Sequence, residues 1–109
     1  MTDFASRFKQ TLTAIETAKQ RLAQSALKND SEGLAIMVNG VAFLEGRARV
    51  ENLAADCQAG GRSKEDTLMA VYDLLVSTSN DTYSGRGNDA RRAKADGMKD
   101  AARDLQYVL

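Results

Sequence analysis

Leu34-Ala35-Ile36-Met37-Val38-Asn39-Gly40-Val41-Ala42-Phe43-Leu44 is the most apolar stretch of the chain, and it admits two structures. As part of a helix from about 32 to 58, it aligns Ile36, Phe43, Val50 and Cys57 at seven-residue steps. Leu34, Met37, Val41, Leu44 and Ala48 then form an adjacent stripe, so such a helix is buried on two sides. As a hairpin, it turns at Asn39-Gly40, the preferred pair for a two-residue type I′ turn, flanked by Ile36, Val38, Val41 and Phe43. The arms would be only about five residues long, and such a ribbon is marginal in water without a third strand to join. No convincing third strand is present, so the continuous or kinked helix is favoured. The fold class expected is all-α, with α+β around a short hairpin as the alternative. Inside a helix, Gly40 and Gly46 each cost roughly 1 kcal/mol against alanine, which places them at a close contact or a kink.

Outward from this stretch, the rest of the chain reads as helix. Proline is absent and alanine occurs 17 times, so little in the sequence interrupts a helix and much of it favours one. From 3 to 28, Phe4, Phe8, Leu12, Ile15, Leu22 and Ala26 recur on one face, with Thr2 placed as the cap. Glu45 with Arg49, and Arg47 with Glu51, make i,i+4 pairs on an exposed face of the second helix. Gly60-Gly61 ends that helix through the left-handed conformation that glycine tolerates. Ser63 caps the next, which runs from 64 to about 77 with Leu68, Val71, Tyr72 and Leu75 toward the core. Residues 77–88 form a polar connection, long for a link between helices. The last helix, 89–108, turns Met98, Ala102, Leu105 and Leu109 inward, with Tyr107 beside them. Two longer helices and two shorter ones, in a single domain of 109 residues, are expected.

Histidine is absent as well, which removes the commonest general base and the commonest metal ligand. Cys57 is the only cysteine, and its neighbours on the helix, Val50, Leu53 and Ala54, offer no activating base. No carboxylate pair has the spacing that oxygen-ligand metal sites use. No catalytic residue, metal or cofactor is therefore expected, and the chain reads as a non-enzyme. Fifteen basic residues balance fifteen acidic ones, so any charged site must be local. A single thiol suits the cytoplasm, and no signal segment or membrane span is recognisable.

One concentration of positive charge stands out: Arg86, Arg91, Arg92 and Lys94, where Gly85-Arg86-Gly87 opens the last helix. Guanidinium groups and free amides at a helix start can hold a phosphate or carboxylate, and basic residues there oppose the helix dipole unless an anion compensates. The spacing matches neither the P-loop nor the dinucleotide fingerprint, and solvated side chains pairing with Asp89, Asp96 and Asp100 are the favoured explanation of the cluster. Asp96, Asp100 and Asp104 share a helix face, their repulsion offset by Lys99 and Arg103, and read as solvated surface. Tyr83 beside Arg86 has the composition of an interface anchor. The function expected is a protein-binding module, an adaptor, inhibitor or regulatory protein of the kind carried by phages and other mobile elements. It would act through a helical surface and the 78–94 segment, as a homodimer if the second apolar face of 34–44 needs covering. The alternative is nucleic-acid, nucleotide or anion binding through Arg86, Arg91, Arg92 and Lys94.

Overall fold

The computed structural model of the chain describes residues 3–26, 31–83 and 89–108. Among these residues are four helices and no strand: α1 (Phe4–Ala26), α2 (Ser31–Ala59), α3 (Lys64–Tyr83) and α4 (Asp89–Val108). The stretch 34–44 is helical throughout, so the Asn39-Gly40 hairpin does not form. Helix α2, 29 residues long, is the axis on which the other three are laid.

Local chemistry sets the helix ends. Asp3 caps α1: its carboxylate accepts the Ala5 amide at 3.0 Å and the Ser6 hydroxyl at 2.9 Å, while Thr2, expected as the cap, lies outside the described residues. The hydroxyl bond from Ser6 is the main reason that the Asp3 carboxyl lies below its ordinary value, desolvation opposing and the Ala5 amide assisting. After α2, Gly61 takes φ of 70°, and the Arg62 and Gly61 amides reach back to the carbonyls of Cys57 and Gln58, a Schellman closure. Ser63 then accepts the Asp66 amide at 3.1 Å and starts α3. α3 continues to Tyr83, six residues past the expected end at 77, because no proline or glycine interrupts its serines, threonines and asparagine.

α1 lies antiparallel along α2. The Phe4 amide donates to Gln58 Oε1 at 3.1 Å at one end, and Ala14 and Ala18 face Met37 and Gly40 toward the other. α4 ascends α2 in the same direction as α2 itself, Gly97 sitting at Phe43 and Asp104 at Arg47. Here the backbones nearly touch. A Cβ on Gly46 would stand 2.0 Å from the Lys94 carbonyl oxygen, and one on Gly97 would stand 1.9 Å from that of Phe43. Gly46 thus marks the close contact anticipated for it. At Gly40 an added Cβ would meet nothing within 4 Å.

The core gathers Phe4, Val50, Ala54, Val71, Met98, Ala101, Ala102 and Leu105, with Cys57 also buried. Among the described residues, four apolar residues expected inside are not: Leu12, Ile36, Tyr72 and Tyr107 are exposed, Tyr107 by 86%, while Leu109, also expected inside, lies outside the described residues. Thr11 occupies the buried position beside Leu12 because its hydroxyl has a partner there.

Candidate interaction surface

The buried polar chemistry centres on Arg47. Its guanidinium bonds to Asp100 and Asp104 of α4, the latter at 2.9 Å, and lies 4.0 Å from Glu51 one turn along α2. Glu51 is buried and accepts the Thr11 hydroxyl of α1 at 2.6 Å. Arg47 and Glu51 are therefore not the exposed pair that their spacing suggested, and Asp100 and Asp104 are held by Arg47 rather than left to solvent. Desolvation pushes the guanidinium down, but the bond to Asp104, the charge of Glu51 and the bond to Asp100 outweigh it and hold it above its ordinary value. Among the described residues no buried side-chain nitrogen or oxygen lacks a partner, so this network is a latch across three helices. Sequence reasoning missed it because its links between helices span 40 to 57 residues, although one signal was present: three aspartates in register on one face want a cation.

The residues singled out for recognition do not converge. Arg86 lies outside the described residues, and so does the Tyr83 side chain, while the Tyr83 backbone is the last residue of α3. Arg91 and Arg92 are exposed on the first turn of α4. Lys94 is half-buried and lines a groove with Phe8, Leu12 and Ile15 of α1 and Glu45 and Arg49 of α2. Two residues apart on a helix point about 200° apart, so Arg92 and Lys94 address opposite sides. Among the described residues no group of three or more histidines, cysteines or carboxylates is placed to hold a metal ion, and no helix is long and apolar enough to cross a membrane. Cys57 is buried, with Val50 and Ala54 in the same core.

What the surface does offer is apolar. On α3, Met69, Tyr72 and Val76 are exposed by 64%, 65% and 42%. Met69 and Tyr72 line a shallow groove with Leu68 and Leu75 of α3 and Ala102 and Gln106 of α4. On α2, Ile36 is exposed by 73% and Val38 by 42%. Between α1 and α2 a second groove is lined by Ala14, Ala18, Met37, Gly40 and Leu44, with Arg21 at its edge. Compared with known protein families, curated proteins and solved structures, the chain matches none.

Proposed function

We propose that this chain is a non-enzymatic protein-binding module that acts by presenting helical surface. The observation that supports this reading is the area left in solvent. The molecule exposes 7213 Å², whereas a compact chain of this mass exposes about 5,900 Å². Its extents of 48 × 32 × 19 Å explain the difference: the smallest is only two helix layers deep, so each helix keeps an outer side. Several of those outer sides carry large apolar residues rather than the charged faces of a self-sufficient bundle. Arg91 and Arg92, exposed at the start of α4, add charged contacts. The single buried thiol suits the cytoplasm as its place of work.

The test is association measured directly. Wild-type chain and the folded variants Ile36→Asp, Tyr72→Asp and Arg91→Ala/Arg92→Ala are compared in solution mass and in capture from a native lysate. Stoichiometric complex formation, with itself or with another protein, that one of these variants abolishes is the expected result. A wild type that stays monomeric and captures no protein would overturn the reading.

A further inference from the structure

The groove that Lys94 lines combines two properties that neither of the other two grooves shares. Its floor is apolar: Ile15 and Ala48 are buried, Phe8 is half-buried, and Leu12 lines it while 45% exposed. Its rim is cationic, with Lys19 of α1, Arg49 of α2 and Lys94 of α4 set against the single carboxylate of Glu45. The groove beside Met37 and Gly40 has Arg21 alone, and the one between α3 and α4 has no charged residue. We propose that the Lys94 groove binds an acidic amphipathic helix of a partner protein, its apolar side chains on the floor and its carboxylates toward the three cations. The proposal rests on the reading of the protein as a protein-binding module and names the site and the chemistry of its partner.

Charge selects the occupant. Among the described residues the side chains of Lys19, Arg49 and Lys94 form no ion pair, and Glu45 does not close on Arg49 although it stands one turn away. Three cations against one carboxylate leave positive charge unbalanced here, in a chain that carries no net charge overall. A neutral apolar helix laid over them would strip their water and return nothing, whereas carboxylates beside the apolar anchors replace that water. Lys94 is also held in place. Its carbonyl oxygen lies where a Cβ on Gly46 would come within 2.0 Å, so the near contact of α2 and α4 backbones fixes the root of this side chain beside α2. A charge positioned before the partner arrives costs less to order on binding.

Shape agrees with a helix. Phe8, Leu12, Ile15 and Lys19 follow at steps of four, three and four, one face of α1 that extends about 16 Å. Glu45, Ala48, Arg49 and Asn52 make the facing side of α2, which runs antiparallel to it. That length receives about three turns of helix, the mode in which apolar anchors spaced by three and four residues enter a groove. At about 280 Å³ the groove falls below the roughly 300–1,000 Å³ of sites that enclose a small molecule, so it takes side chains projecting from a partner rather than a whole ligand. A nucleic-acid backbone would satisfy the cations but leave the aliphatic Leu12 uncovered and bring phosphates to Glu45.

The test is fluorescence anisotropy of a labelled synthetic helix, leucines along one face and glutamates beside them, titrated with the full chain. Binding is expected to weaken with added salt and to be about tenfold tighter than for the same peptide with glutamine in place of glutamate. Leu12→Asp is expected to weaken it by a similar factor, and Lys19→Glu/Arg49→Glu/Lys94→Glu to turn the preference toward a lysine peptide. A readout on the wild type holds even if that variant fails to fold: the bound glutamate peptide is expected to slow hydrogen exchange over 8–19 and 45–52 but not over 69–76. No binding of the glutamate peptide, equal binding of the glutamine peptide, or a footprint elsewhere overturns the proposal. Tighter binding of duplex DNA or of phosphatidylserine vesicles, abolished by the same charge reversals, overturns a protein helix as the occupant. A protein captured from a native lysate equally well by wild type and charge-reversed chain overturns the groove and leaves association through another surface standing.

Discussion

A methyl group is enough to separate the roles of three glycines. At Gly46 it would stand 2.0 Å from the Lys94 carbonyl oxygen, and at Gly97 it would stand 1.9 Å from that of Phe43. Both obstacles are helix backbone, which cannot turn aside as a side chain would. Either Gly46→Ala or Gly97→Ala therefore drives α2 and α4 apart, and each is expected to cost about 3 kcal/mol of unfolding free energy in urea titration. Gly40 lies in the same helix with nothing near its missing side chain. Gly40→Ala gains helix propensity with no clash, so it is expected to stabilise the protein by about 0.5–1 kcal/mol. A destabilising Gly40→Ala would mean that α2 is bent or crowded at that point. The sequence places both Gly40 and Gly46 at a contact or a kink because propensity alone cannot tell them apart; only the arrival of α4 at Gly46 does.

At the scale of elements, the Arg47 network joins α1, α2 and α4 through charge. Removing its centre leaves Glu51 buried with Thr11 alone and sets Asp100 and Asp104 free to repel each other. Arg47→Ala is expected to cost about 3 kcal/mol, the usual penalty for stranding a buried charge. Adding Glu51→Gln, which removes that charge, should restore part of the loss, and an additive double-mutant cycle would show that the two do not communicate. The α1 cap titrates with a definite sign. Because the folded Asp3 carboxyl lies below its ordinary 3.8, its stabilisation is present above that value and is lost as pH falls through the folded pKa. The stability gap between wild type and Asp3→Ala should therefore close on acidification, as followed by thermal melts across the acid range.

These elements also show what a sequence carries. Ser63, Gly61 and the alternation of apolar residues were legible because a cap, a C-terminal turn and a helix face involve residues a few positions apart. Tyr72, Tyr107 and Leu12 were misplaced because apolarity says that a side chain gains from burial, not that a neighbour is there to bury it. Arg47 was assigned to Glu51 alone because its other partners lie on another helix. The Arg86, Arg91, Arg92 and Lys94 cluster is close in sequence, yet the helical rotation turns Lys94 toward α1 while Arg91 and Arg92 stay in solvent.

For the whole molecule, the governing fact is that α2 is longer than the helix laid beside it. The stripe Cys57, Val50, Phe43, Ile36 passes from buried at its first two members, through half-buried, to 73% exposed. Around Ile36 the stripe therefore has less packed against it than at Val50 and Cys57. A segment with one packed side opens locally, whereas one packed on two sides opens only when the core does. Native-state hydrogen exchange should therefore show a gradient along α2, with amides around Ile36 exchanging at least about a hundredfold faster, or about 2.7 kcal/mol less protected, than those between Val50 and Cys57. Uniform protection along α2 would mean that something covers its first third.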